Sequence, residues 1–540
     1  MQLLRNKKDK NKRLIAILMI GWMLLFNAPS VFAHAKLLGS KPADGEIVRE
    51  KLKAIELTFN EPLQTTEINV IIVTDTAGRR VDKHKAIVSE DGRKLLAELE
   101  DLSAGIYTVE WRTLSADNHS IKGKFSFTIA GSDAAPVMTA EQTPNNNESH
   151  SGHSKPTQEN LINPFQSGVR WLMYLAIMTL FGGFAFLLFV LKPALGREIS
   201  HLNDEERIFA FKRARNRFVR LAWTSLFLLL ASLIASLVLQ TSAVLDVGAG
   251  QAFSPSNLYQ TLTQTAFGLP FLMQACVTLV LFGIVFFISR QKRESNETTI
   301  PDLNDKQSLL WAGLIISSLL FLMPSLTGHA QAAAGEFRFT VFTDWLHQIV
   351  AGAWIGGLFH LILTLPEIVR GFGSLQRLSI LNRVIPFFSR MAIVCAALLT
   401  LTGIYSSWIH VDGFSALLNT SYGLVLLFKI ALFLFMLALG GLNTFVLRPR
   451  AARLITETNF AEEEGAKIFK SFNRALTFEV ILGILVLLLA AILAFLPPAR
   501  RHETMVGGEK LLDEINIKPQ AAKISVGEEL EVYSHRLRQI

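Results

Sequence analysis

Residues 169–191 read VRWLMYLAIMTLFGGFAFLLFVL, with Arg170 as the lone charge. As a helix rising 1.5 Å per residue, this run reaches about 35 Å, enough to cross the ~30 Å hydrocarbon core of a bilayer. No water is present there to satisfy a backbone, so a helix is the form such a run takes. Seven more runs of similar length follow, near 219–242, 270–288, 309–327, 343–363, 391–409, 424–446 and 476–496. A bundle of about eight transmembrane helices is therefore expected over residues 164–498.

The loops between the runs set its orientation. Lys and Arg number seven in 192–218, four in 289–308, four in 364–390 and six in 447–475. The other loops hold none in 243–269, one in 328–342 and none in 410–423. Cationic loops stay in the cytoplasm, so both ends of the chain are expected on the outer side. The formal charge of +8 is explained by those inner loops and calls for no nucleic acid. A chain that is 50% apolar with a mean hydropathy of +0.35 is not an ordinary soluble enzyme. Its two cysteines, Cys276 and Cys395, both fall in apolar runs, which excludes a disulfide framework or a CxxC motif and predicts buried small hydrophobes.

The N-terminus agrees with that orientation. Arg5, Lys7, Lys8, Lys10, Lys12 and Arg13 precede an apolar stretch from Leu14 to Phe26, and Val31-Phe32-Ala33 offers small residues to a signal peptidase. Residues 1–33 have the form of a secretory signal peptide, too short in their apolar part for a good anchor. Cleavage after Ala33 makes His34 the first residue of the mature protein.

From His34 to Ala130 the pattern changes to period two. Ala54–Phe59, Ile68–Val73, Lys94–Leu99, Tyr107–Trp111 and Gly123–Ile129 alternate apolar with polar residues. Turn signals separate them at Pro42-Ala-Asp-Gly45, Ala77-Gly78, Asp91-Gly92 and Ala104-Gly105. An antiparallel β-sandwich follows from strands so short and so spaced. Residues 131–163, rich in Ser, Asn, Gln, Thr and Pro, read as a flexible linker carrying His150 and His153. Residues 499–540 hold two strand-like stretches, 515–519 and 528–532, and are expected to form a short extracytoplasmic β stub, too small for a core of its own. The expected fold class is thus mixed: an N-terminal β-sandwich, a helical membrane bundle and the stub.

Two places in the soluble part carry metal-ligand chemistry. A mature N-terminal His34 chelates through its α-amine and Nδ1 together. Asp117-Asn118-His119 puts a carboxylate and an imidazole on one side of an extended segment. An amine, two imidazoles and a carboxylate suit Cu(II), which prefers tetragonal nitrogen and oxygen donors.

His34-Ala-Lys-Leu-Leu-Gly-Ser-Lys-Pro-Ala-Asp-Gly45, Leu57-Thr-Phe-Asn-Glu-Pro62, Tyr107-Thr-Val-Glu-Trp-Arg112, Ser115-Ala-Asp-Asn-His119 and Gly123–Ile129 occur in that order. Together they resemble a CopC copper-binding domain over nearly all of 34–130. The resemblance implies an Ig-like or cupredoxin-like sandwich that binds Cu(II) through His34, Asp117 and His119. Only Met138 lies between residues 34 and 160, so the Met-rich Cu(I) site of that family has no counterpart. One Cu(II) site and no Cu(I) site are expected.

Ionisable residues within membrane spans are expensive and are functional candidates. In the expected topology His329, Asp344, His347 and His410 lie near the outer surface, where copper from the β domain arrives. Asp344 and His347 are one helical turn apart and share a face. Met323 adds a soft thioether to this membrane copper path. His360, 13 residues past His347, lies about 20 Å deeper. Ser325-Leu-Thr-Gly-His-Ala330, Asp344-Trp-Leu-His347, Trp354-Ile-Gly-Gly357, Thr420-Ser-Tyr-Gly423, Lys429, Asn443, Arg474 and Glu479 resemble the CopD membrane family across roughly 165–498.

The function these readings imply is copper acquisition. The outer domain binds Cu(II) and passes it to a multi-pass bundle in the plasma membrane, which moves copper inward. The competing reading is an extracytoplasmic copper buffer or resistance protein on a non-transporting anchor, and a copper redox enzyme is the weakest of the three. No catalytic residue and no organic cofactor are assigned. Copper ions, the lipid bilayer and other extracytoplasmic copper-binding proteins are the expected partners. Without a GxxxxGK[ST] motif there is no visible ATPase module to drive transport.

Overall fold

The computed structural model describes residues 35, 37–60, 62–115, 120–130, 164–196, 198–199, 201–290, 307–327, 337–411, 413–456, 462–496 and 499. The signal peptide, the linker and the C-terminal stub lie outside the described residues, as do His34, Asp117, His119 and His329.

Eight strands form the N-terminal domain: β1 Leu37–Lys41, β2 Ile47–Val48, β3 Ala54–Phe59, β4 Val70–Asp75, β5 Asp82–Val88, β6 Lys94–Leu99, β7 Gly105–Leu114 and β8 Ser120–Ile129. They make two four-stranded sheets, ordered β1-β3-β6-β5 and β2-β8-β7-β4. All pairs are antiparallel except the short β2, which runs parallel to β8. Alternation explains the sandwich. Ile55, Leu57 and Phe59 of β3 face Val109, Trp111 and Phe127 of the other sheet in one buried cluster. Tyr107 stacks on Phe127 and donates its hydroxyl to the Ser103 carbonyl four residues upstream, the tyrosine-corner device of such folds. β1, β2 and β5 were not evident as strands. Gly39 interrupts the alternation of β1, and β5, an edge, displays Lys83, His84 and Lys85 to solvent.

One carboxylate fastens β4 to β5. Asp82 is 1% exposed, yet it pairs with Arg80 at 2.7 Å and accepts from the amides of Val73 and His84. Desolvation opposes its charge, but these donors outweigh it and hold the acid below the usual carboxylate range. Its contribution is therefore present above the unfolded pKa of about 4 and disappears as pH falls through the lowered folded value. Asp82→Asn is expected to cost the domain about 2 kcal/mol at neutral pH. The loss should shrink below pH 4, read as hydrogen exchange of β4 and β5 in the full chain.

Behind the sandwich, the described residues hold eight helices long and apolar enough to cross a membrane, two short ones between them and a single helical turn at Ala249–Ala252 that is left unnumbered. In chain order they are α1 Pro164–Leu195, α2 Asp204–Leu245, α3 Pro255–Gln264, α4 Gly268–Arg290, α5 Gln307–Leu326, α6 Phe339–Ile368, α7 Ser374–His410, α8 Gly413–Asn419, α9 Ser421–Thr456 and α10 Glu462–Leu493. Of these, α3 and α8 are the short ones. Asn203 caps α2 in a reciprocal capping box with Glu206. The centre of the bundle is the contact of α1 with α6, where glycines replace side chains. A methyl carbon on Gly182 would stand 2.3 Å from Gly356, and one on Gly356 would stand 1.9 Å from the Met178 carbonyl. Small residues let two backbones touch where lipid supplies no hydrophobic push. Among the described residues three π-helical turns interrupt the spans, at Phe186–Leu191 of α1, Gly352–Gly356 of α6 and Asn443–Leu447 of α9. Cys395 is buried in α7 as expected, whereas Cys276 is exposed on α4 because its helix turns that face away from the bundle.

The sandwich sits on one end of this bundle. Leu114 and Ile68 pack on Val244 and Leu245 at the end of α2. Arg112 donates to the Leu245 carbonyl, Lys122 pairs with Asp246 at 3.2 Å, and Gln64 accepts from the Ala266 amide just before α4. Asp246 closes α2 in the left-handed conformation, φ 55°, and so turns the chain beneath the β domain.

Candidate metal centre

The chain neighbours of the expected copper ligands meet in the β domain. Ala35, next to His34, donates its amide to the Ser115 hydroxyl at 3.2 Å, a contact that spans 80 residues of sequence. Ser115 precedes Asp117 by two positions and is wholly buried. Its carbonyl accepts from Gln64 Nε2 at 2.9 Å, and the same Gln64 side chain accepts from Ala266 of the bundle at 3.0 Å. One glutamine thus ties the strand end that leads to Asp117 directly to the membrane part.

At the same end of the bundle, α5, α6 and α7 assemble a polar group. Asp344 Oδ2 accepts from the Ser325 hydroxyl at 2.5 Å and from Gln348 Nε2 at 2.8 Å, and Gln348 also reaches Ser325 at 2.9 Å. One helical turn on, His347 Nδ1 lies 2.8 Å from Thr402 Oγ1 of α7. The Thr402 hydroxyl proton is already committed to the Leu398 carbonyl at 2.7 Å. Thr402 therefore accepts, Nδ1 carries the proton, and the Nε2 lone pair of His347 is left for another partner. Fixing one ring nitrogen to expose the other is how proteins orient a metal-binding imidazole. Asp344 Oδ1 likewise has no bond among the described residues. Lys429 of α9 is near enough for its charge to act on both Asp344 and His347, but it forms an ion pair with neither.

The other expected positions are placed differently. Met323 is buried in a small apolar cluster with Leu322 and Val341, against Met273 and Trp345, where its thioether packs. His410 closes α7 and donates Nδ1–H to the Ser406 carbonyl at 2.7 Å, eight residues or about 12 Å beyond Thr402. His360 is spent on structure: its Nε2–H meets the Thr179 carbonyl at 2.9 Å, and its ring fills the space above Gly183, between Phe186 and Phe218. Among the described residues no three His, Cys, Asp or Glu side chains converge on one point; Asp344 and His347 are two candidate donors one helical turn apart.

Residues 37–130 match the CopC domain model, 161–339 the N-terminal domain of copper resistance protein D-like proteins, and 382–493 the model of copper resistance protein D. The chain joins a CopC domain to a CopD domain. It is 27% identical to copper transport protein CutJ of Bacillus subtilis over 88% of this chain and 76% of that protein. It is 28% identical to copper resistance protein D of Pseudomonas syringae pv. tomato over 62% of this chain and 97% of that one. Its CopC domain is 34% identical to protein YobA of Escherichia coli, covering 19% of this chain and 82% of YobA. These likenesses place the chain in the CopC–CopD copper resistance and transport family.

Asp344 and His347 fall between the two stretches that the CopD models match, while Thr402, Asn443 and Glu479 fall inside the second. Gln348 and Thr402 were not singled out from sequence. Gln348 had a signal, since it stands four residues after Asp344 and shares its face. Thr402 had none, because a threonine in an apolar run usually returns its hydroxyl to its own helix.

Proposed function

We propose that the CopC domain captures Cu(II) on the outer side of the plasma membrane and that the CopD bundle carries copper inward through the Asp344–His347 pair. The observation that carries this reading is the hydrogen bond of Ala35 to Ser115. It draws together the two chain segments that supply His34 and the Asp117–His119 pair, beside the seam with the bundle. His34, Asp117 and His119 bind the ion. The His347 Nε2 lone pair and the open oxygen of Asp344 are the first intramembrane donors it meets. His329 follows Ser325 by four residues and is the third donor we assign there, with His410 and Met323 as outlying stations. The outward orientation rests on the alternation of cationic loops, and other extracytoplasmic copper-binding proteins are the natural suppliers of the ion.

Radiocopper uptake into liposomes bearing the full chain tests the path. His347→Ala is expected to slow uptake at least tenfold while leaving Cu(II) binding by the CopC domain intact. Equal uptake by the variant removes His347 from the path. Uptake no faster than in empty liposomes identifies a buffer on an inert anchor instead. Cells lacking the protein should contain less copper, and a rise would reverse the direction.

A further inference from the structure

A second polar site lies inside the bundle, between α9 and α10. Glu479 is 3% exposed and Asn443 6% exposed, and Asn443 Nδ2 donates to Glu479 Oε1 at 2.6 Å. Asn443 Oδ1 is buried without any hydrogen-bond donor. A buried amide oxygen left unpaired is costly, and so is an ionised carboxylate in a membrane interior without a cation. His360 on α6, Arg390 and Cys395 on α7, Lys429 and Arg448 on α9, and Arg170, Tyr174 and Lys192 on α1 are titratable groups on the helices packed against α10. None of them bonds Glu479. A single proton resolves both deficits. A neutral carboxylic acid carries no charge and gains one O–H donor, and facing a primary amide it can give that proton to the amide oxygen while accepting from the amide nitrogen.

The local backbone fits an exchangeable group. Asn443 opens the π-helical turn of α9, a feature that recurs at functional positions in helices. One turn outward from Glu479, Gly483 faces Ile355, which lies in the π-helical turn of α6. The same α6 carries Asp344 and His347, so one helix runs from the first polar site to within one turn of the second.

We propose that Glu479, capped by Asn443, is a proton-binding site through which copper movement is coupled to proton movement. When the cation occupies the bundle, the Glu479 O–H bond breaks, the proton leaves to water on one side of the membrane, and the carboxylate offsets the charge of the metal. Reprotonation restores the acid–amide pair once copper has left. The coupling rests on the transport reading given above; the protonated site itself does not.

Infrared spectra of the full chain in phosphatidylcholine liposomes at neutral pH test the site. A carboxylic-acid C=O band is expected, lost in Glu479→Gln and shifted in Asn443→Leu, where the amide partner is gone. A band unchanged in Glu479→Gln overturns the site. Radiocopper flux tests the coupling: an imposed pH gradient should change the wild-type rate several-fold and leave Glu479→Gln unaffected. An unaltered gradient response in that variant overturns the coupling. A wild-type chain that moves no copper under any gradient overturns the transport reading and the coupling with it, while the infrared band still decides the site.

Discussion

Replacing Asp117 and His119 together by alanine is expected to weaken Cu(II) binding by the full chain on the order of a thousandfold, or about 4 kcal/mol. Two of the four proposed donors vanish, which leaves the α-amine and the imidazole of His34 as a two-donor chelate. The Irving–Williams order favours copper at almost any nitrogen site, so residual weak binding is expected. Competition titration against a chelator of known affinity reads the difference. A protein in which Ala33 cannot be cleaved should lose affinity comparably, since its α-amine is no longer present at His34. Affinity unchanged in the double variant would move the site elsewhere in the domain. The fold should survive these changes, because the buried contacts beside the site belong to Ala35, Leu114 and Ser115.

Gly356→Val is expected to be the most damaging single change in the bundle. The Met178 carbonyl oxygen stands 1.9 Å from the place of its first side-chain carbon, and the Gly182 Cα stands 2.9 Å from it. Both are backbone atoms, so neither can step aside as a side chain would. α1 and α6 would have to separate, opening the most enclosed helix of the bundle. A loss of roughly 3 kcal/mol or more is expected, at or beyond the usual range for overpacking. Size-exclusion chromatography and thermal unfolding in detergent would show it as low recovery and a depressed Tm. Gly440→Val is the control: on α9 nothing lies within 4 Å of the added carbon, and folding should be unaffected or slightly improved.

The spans were legible because about 20 apolar residues in a row have few other uses. Their ends were less so. α2 begins at Asp204, well before the apolar run near 219, because the basic stretch between them continues the same helix. β3 and β6 were readable residue for residue, being central strands with one wet face. β4 begins two residues later than its alternation suggests, because Asn69 at its head is drawn aside to the Gln64 carbonyl and to Thr113. Within the membrane site, Asp344 and His347 stood out as ionisable groups in costly places. Which nitrogen of His347 is available was not legible, since it depends on Thr402, 55 residues away. The Glu479–Asn443 pair shows the same limit: two residues marked by family resemblance become a site only when α9 and α10 are laid side by side.

Under the proposed transfer, the seat of the β domain on α2 and α4 sets the kinetics of delivery. A separate carrier must find its membrane partner by diffusion, so its rate depends on the concentrations of both. Here donor and acceptor share one polypeptide and one interface, at an effective concentration in the millimolar range. Transfer then becomes first order and indifferent to dilution of the protein. A free copy of the outer domain, supplied in solution, would need to approach that same millimolar level before it could compete for the seat.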